Sequence, residues 1–273
     1  MDKVSVVTVT YNCEEAIEST IKSVLAQTYS NIEFLIIDGG STDRTLDVIQ
    51  SYKDRIDYFV SEKDRGIFDA MNKGIKAATG DWIIFMNAGD GFANPNALNL
   101  FMEQIDDDVV IAYGNTIMVC KGYYYYLPPA ELDTMAEQMP MQHQSTLIRL
   151  RYHKEHLFDI TYKLAGDYNF LYNCYYHDHC KFQYIPVELS FFDNAGGASK
   201  DNHVKAVREC LRFYDMKDKM MHRLKMEYGV FIYQIVSWIK QKLLDSAKSQ
   251  EVELLGLKRK GIRYQVGQYL PKA

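Results

Sequence analysis

The chain is expected to fold as an α/β protein around a mostly parallel sheet, and three observations lead there. Over the first hundred residues, β-branched runs alternate with segments whose apolar residues recur at helical spacing, the pattern of strands covered by crossover helices. Each run ends on a polar, turn-forming cluster, which puts side chains and backbone amides at one edge of the sheet, where open α/β sheets bind ligands. Finally, 47% of the 273 residues are hydrophobic, enough to bury one large core or two modest ones. No stretch of about 18 consecutive apolar residues occurs, so no spanning helix is expected.

Val4–Thr10 is a β-branched run and reads as the first buried strand, not as a signal peptide, because no small-residue cleavage site follows it. Asn12 with Glu15 three residues later is an Asx version of a capping box, so a helix is expected to start there. Ile17, Ile21, Val24 and Leu25 give that helix one apolar face, ending near Gln27. Ile32–Ile37 is the second strand, and Asp38-Gly39-Gly40-Ser41-Thr42-Asp43 is a turn leading into a helix with Leu46, Val48 and Ile49. Ile56–Val60 is the third strand. Ile67, Ala70, Met71, Gly74, Ile75 and Ala78 mark a helix, Trp82–Met86 a fourth strand, and Pro95–Ile105 a further helix. Beyond residue 109 the pattern loosens. Val109–Tyr113 and Met118–Tyr126 read as strands, Pro128–Pro140 as a connection with a helical turn, and a helix is expected from Tyr168.

Charge divides the chain near residue 200. Residues 201–273 hold 15 Lys+Arg against 8 Asp+Glu, and residues 1–200 hold 16 against 28. We therefore expect a body of residues 1–200 and a basic, helical extension over 201–273, which packs on the body, joins a second copy or lies on a membrane surface. No nucleic-acid partner is expected. Five scattered cysteines in a chain of this length fit a reducing cytoplasm, at or away from the inner face of a membrane.

The turn after the first strand, Thr10-Tyr11-Asn12-Cys13-Glu14, carries no glycine, so a dinucleotide-binding G-x-G-x-x-G is absent, as is a P-loop. What remains is a site built from acids and aromatics. VSVVTVTYN, DGGSTD, SEKDRGIFDAMNKGI and FMNAGD, in this order, resemble the inverting glycosyltransferases of family 2 with the GT-A fold, a Rossmann-like, mostly parallel sheet flanked by helices. PMQHQSTLIR, AGDYNF and GGAS resemble that family's second half, so the likeness runs over roughly residues 3 to 200.

The resemblance implies transfer of a sugar from a nucleotide-sugar donor, a UDP-sugar first, to a glycan or polyprenyl-linked glycan acceptor in surface polysaccharide assembly. It implies donor contacts at Thr10, Tyr11, Asn12, Asp38, Asp64, Arg65, Asn87, His143 and Gln144. It implies Mn2+ or Mg2+ at Asp90, the one acid of Asn87-Ala88-Gly89-Asp90, and a catalytic base at Asp167. The Gly196-Gly197 pair with Ser199 is expected to be a lid or a connector. Two other readings fit less well. A sugar nucleotidyltransferase would show a glycine-rich basic loop near its start, and a binding module without catalysis is favoured only by the single acid at Asp90.

Overall fold

The computed structural model describes residues 1–120, 123–193, 202–213, 228 and 263–264. Strands β1 (Val4–Thr10), β2 (Ile32–Asp38), β3 (Tyr58–Ser61) and β4 (Trp82–Phe85) lie parallel in the order β3-β2-β1-β4. Helices α1 (Ile17–Leu25), α2 (Thr45–Gln50) and α3 (Ile67–Ala77) connect them, which is the alternation the sequence predicts. After β5 (Gly91–Phe92) and α4 (Ala97–Met102) the chain builds β6 (Ile111–Cys120), β7 (Tyr123–Leu127) and β8 (Thr146–Arg149). Then come α5 (Leu150–Glu155), α6 (Gly166–Tyr176), β9 (Phe182–Asp193) and α7 (His203–Cys210), and β10 (Arg263–Tyr264) pairs with β7.

Strand β8 runs antiparallel between β4 and β6, so β6 again points the same way as β1 to β4. One edge of β6 pairs with β9 along its length, and the other is shared by β8 and then β7. The expected strand Met118–Tyr126 is therefore two strands, the end of β6 and the start of β7, paired antiparallel with Cys120 opposite Tyr123. Both runs are rich in β-formers, so periodicity alone does not mark the reversal.

All seven residues of β1 are buried, because both faces of the sheet are covered. Val7, Val9, Leu35, Ile37, Ile83 and Phe85 face a core completed by Phe68, Met71 and Ile75 of α3 with Leu150, Phe170 and Leu171 of α5 and α6. The alternate residues Val4, Val6, Phe34, Ile36, Trp82 and Ile84 face Ile17, Ile21 and Val24 of α1 and Leu98 and Phe101 of α4. The result is three layers with the sheet in the middle. Among the described residues no helix is long and apolar enough to cross a membrane. The Gly196–Ser199 segment and most of the extension beyond residue 213 lie outside the described residues.

One core residue carries a pH dependence. His153 is fully buried between the rings of Phe158 and Phe170, at centroid distances of 4.7 and 4.3 Å. Its Nδ1–H donates to the His156 carbonyl at 3.0 Å, and Nε2 has no partner among the described residues. Burial pushes its pKa down from 6.5 to about 4. The unfolded chain therefore binds this proton first as pH falls, so the stability contributed by neutral His153 is present above about 6.5 and is lost between 6.5 and about 4. The loss amounts to about 3 kcal/mol at 1.36 kcal/mol per pH unit. Denaturant melts at pH 7 and pH 4.5 are expected to differ less for His153→Phe than for the wild type, and an unchanged difference would remove His153 as the cause.

Candidate active site at the carboxyl edge of the sheet

Because β1, β2 and β3 are parallel and in register, Thr10, Asp38 and Ser61 stand side by side at one edge of the sheet. The turn after β4 opens at the same edge, since Ala88 N–H bonds the Val9 carbonyl at 3.2 Å. The antiparallel β8 begins there, so the 3-10 turn His143–Ser145 just before it is delivered to that edge as well.

Asp38 is fully buried, and both of its oxygens are taken by its own surroundings. Oδ2 accepts from Gly40 N–H at 3.0 Å, Ser41 N–H at 2.9 Å and the Ser61 hydroxyl at 2.5 Å, and Oδ1 accepts from the Ser41 hydroxyl. In this structure Asp38 builds the turn. Asn12 likewise does not cap a helix. It takes a left-handed φ of 50°, its Oδ1 accepts from Thr42 N–H at 2.8 Å, and its own N–H donates to the Ser41 hydroxyl at 2.8 Å. Helix α1 starts later, at Ile17. The two turns are thus sewn together, and the Tyr11 ring between them is 59% exposed at the mouth of the site.

Gly39 explains how Asp64 reaches this mouth. A Cβ added at Gly39 would run into the Asp64 carboxylate and stand 3.4 Å from the Tyr11 ring, so the missing side chain leaves the space that Asp64 fills. Asp64 is held there by Gly66 N–H, which donates to its Oδ1 at 2.9 Å. Arg65 points elsewhere: its exposed guanidinium pairs with Asp69 one turn along α3, Nη2 to Oδ1 at 3.0 Å.

The turn that carries Asp90 is anchored from below by Thr20 of α1, a polar residue on an otherwise apolar face that sequence reading passed over. Its hydroxyl donates to the Asp90 carbonyl at 2.7 Å and accepts from Gly89 N–H at 3.0 Å. Gly89 has φ of 102°, a conformation suited to glycine. Asp90 N–H closes the turn on the Asn87 carbonyl at 2.9 Å.

The most consequential contact joins residues far apart in the chain. Asp167 sits in the first turn of α6, with Tyr168 N–H donating to its Oδ1 at 2.9 Å. Its Oδ2 lies 3.3 Å from His143 Nδ1, and His143 Nε2 lies 3.1 Å from the Asn87 amide nitrogen. Asn87, His143 and Asp167 therefore form a chain of polar contacts from the Asp90 turn to α6. Burial works against charge on the imidazole, but the Asp167 hydrogen bond and the negative charges of Asp167 and Asp90 outweigh it and raise the His143 pKa. With neutral His143, Nδ1–H donates to Asp167 and Nε2 accepts from the Asn87 amide. A protonated ring instead needs the amide turned, so that Asn87 Oδ1, a buried atom with no partner among the described residues, accepts from Nε2–H.

Thr10 Oγ1 and Gln144 Oε1 are also buried without a partner among the described residues. Such atoms are uncommon in folded proteins. The Ser145 hydroxyl next to Gln144 is saturated, meeting Thr116 Oγ1 at 2.7 Å, Ser190 Oγ at 2.6 Å and the Asn115 carbonyl at 2.9 Å. It pins the 3-10 turn and offers no nucleophile. Of the residues expected from the sequence, Thr10, Tyr11, Asn12, Asp38 and Asp64 form one group and Asn87, Asp90, His143, Gln144 and Asp167 gather around the second, while the Arg65 side chain joins neither.

The chain is similar to known proteins of one family. The profile for Glycosyl transferase family 2 matches residues 5–179. A PGL/p-HBAD biosynthesis glycosyltransferase of Mycobacterium bovis (strain BCG / Pasteur 1173P2) is 26% identical over 203 residues, which is 71% of this chain and 78% of that protein. The Escherichia coli UDP-Glc:alpha-D-GlcNAc-diphosphoundecaprenol beta-1,3-glucosyltransferase WfaP is 35% identical over 116 residues, 42% of this chain and 46% of that protein. Among solved structures, the mannosyltransferase PcManGT from Pyrobaculum calidifontis in complex with GDP-Man and Mn2+ is similar with a TM-score of 0.60. That likeness covers 77% of this chain and 62% of the other at 14% identity, and is one of fold.

Proposed function

The chain belongs to glycosyl transferase family 2 and is a glycosyltransferase with the GT-A fold, and from that premise we propose that it performs inverting transfer from a UDP-sugar to a glycan or lipid-linked glycan acceptor. The observation that supports the mechanism is the Asp167–His143–Asn87 chain, which links a carboxylate through the His143 imidazole to the Asp90 turn. Inversion requires a base that takes the acceptor hydroxyl's proton as the oxygen attacks the anomeric carbon on the face opposite the leaving diphosphate. Asp167 is that base. His143, committed to Asp167 through Nδ1, orients the carboxylate.

On the donor side the exposed Tyr11 ring stacks on the base, and Asp64 accepts from a base N–H or ribose hydroxyl beside the turn built by Asp38. The relative WfaP, which by name uses UDP-Glc and a diphosphoundecaprenol-linked sugar, supports the donor and acceptor classes. The Asp90 carboxylate and the Asn87 amide oxygen are hard oxygen donors in one turn and fit Mn2+ or Mg2+. Held by these residues, such an ion would offset the charge developing on the leaving diphosphate.

Incubating the protein with Mn2+, a panel of UDP-sugars and lipid-linked or oligosaccharide acceptors should yield a product whose new linkage, read by NMR, has the anomeric configuration opposite to the donor's. Retained configuration would sink the direct displacement, and no transfer from any UDP-sugar would sink the donor class.

A further inference from the structure

We propose that Glu209 is a positioning residue for Asp167, acting from outside the family-matched residues 5–179 through the loop that starts helix α6. The inference rests on the reading of Asp167 as the base. Residues 163, 164 and 165 present three successive backbone N–H groups to one carboxylate on α7. Lys163 N–H lies 3.0 Å from both Glu209 oxygens, Leu164 N–H is 2.8 Å from Oε2, and Ala165 N–H is 3.0 Å from the same Oε2. Consecutive N–H groups converging on one oxygen make an anion-binding concavity. Here the chain itself supplies the anion, 44 residues after Ala165.

The placement of that loop decides where the base stands. Ala165 is the N-cap of α6 and Asp167 is two residues on, so the last two bonds to Glu209 fix the backbone immediately before the first helical turn. The N-cap residue, Ala165, supplies no side-chain cap of its own. The carboxylate satisfies amides that would otherwise be open and sits at the positive end of the helix dipole.

The neighbours make the same clamp tighter. The Arg212 guanidinium lies 4.1 Å over the Tyr162 ring and donates to Thr161 Oγ1 at 2.7 Å. The Phe213 ring packs on Tyr162 at 6.1 Å and on Tyr168 at 5.1 Å. Lys163 Nζ donates to the Arg65 carbonyl at 2.6 Å, which ties the clamped loop to the loop that carries Asp64. Pulling Glu209 away frees the backbone that leads directly into Asp167, while Asp64 keeps its own anchor on Gly66 N–H.

Because Oε2 alone accepts from all three N–H groups, Glu209→Gln can keep the geometry with its amide oxygen in that place, whereas Glu209→Ala cannot. We expect turnover per UDP-binding site, counted by calorimetry on the full chain, to fall on the order of 10- to 100-fold in Glu209→Ala, the scale of a misplaced catalytic group. Donor KM should stay within about 2-fold, because the base is displaced and the donor contacts are not. Glu209→Gln should recover most of that loss. A Glu209→Ala enzyme with wild-type turnover per site overturns the proposal, as does a Gln variant no better than Ala or a loss confined to KM. Asp167→Asn is measured alongside: if it keeps turnover, the base assignment has failed, whatever Glu209 does.

Discussion

Asp167→Asn is expected to lower kcat on the order of 10²- to 10⁴-fold, the range for loss of a general base, while the Kd for UDP stays within about 2-fold of wild type, as for a group whose interaction is made only in the transition state. The substitution preserves volume, and the amide oxygen can still accept from Tyr168 N–H, so α6 should start where it does now. What it removes is the second oxygen, the one 3.3 Å from His143 Nδ1, and the charge that raises the His143 pKa. The imidazole should therefore titrate at lower pH in the variant, which NMR of the ring protons reads directly. The sign for stability follows. A raised His143 pKa stabilises the fold below the ordinary value near 6.5 and loses that contribution as pH climbs through the folded value, so Asp167→Asn should flatten this part of the stability profile. Undiminished turnover would dismiss Asp167 as the base, and abolished UDP binding would move it to the donor side.

The second large effect is expected at Asp90. With Mn2+ present, Asp90→Ala should lower kcat/KM on the order of 10²-fold or more, the scale of charge stabilisation by a metal at a phosphoryl oxygen. It should also raise the Mn2+ concentration needed for half-maximal UDP binding. Two contacts of the turn use the Asp90 main chain and survive the substitution: its N–H on the Asn87 carbonyl, and its carbonyl under the Thr20 hydroxyl. An unchanged melting temperature with lost metal response would isolate the carboxylate. Equal activity of wild type and variant in a chelator and in Mn2+ would end the case for a cation at this turn.

The first half of the sheet is largely legible in the sequence. Strand β1 spans the predicted Val4–Thr10, since a β-branched run covered on both faces has no other comfortable conformation. Helix α3 was legible from its apolar spacing. Asn12 misled because an Asx residue three before a glutamate looks the same whether its side chain caps its own helix or crosses to Thr42. Strand β8 is four residues long and passed unnoticed, as did β9, where Pro186 interrupts the alternation.

The site was legible residue by residue but not as a constellation. His143 and Asp167 were each singled out from the sequence, yet nothing in a separation of 24 positions shows that they touch. Glu209 carried no signal at all, because a carboxylate that binds backbone amides needs no partner side chain to betray it.

The reversed strand has a consequence for how the protein is made. Strand β8 closes the gap between β4 and β6, yet it is synthesised after both. While the ribosome adds the chain between Phe85 and Thr146, the apolar edge of Trp82–Phe85 has a partner on its β1 side only. An unpaired apolar edge is a template for pairing with a neighbouring nascent chain. The same insertion that brings His143 to the carboxyl edge of the sheet thus sets an interval of vulnerability during translation, and fragments that stop short of Thr146 inherit it permanently.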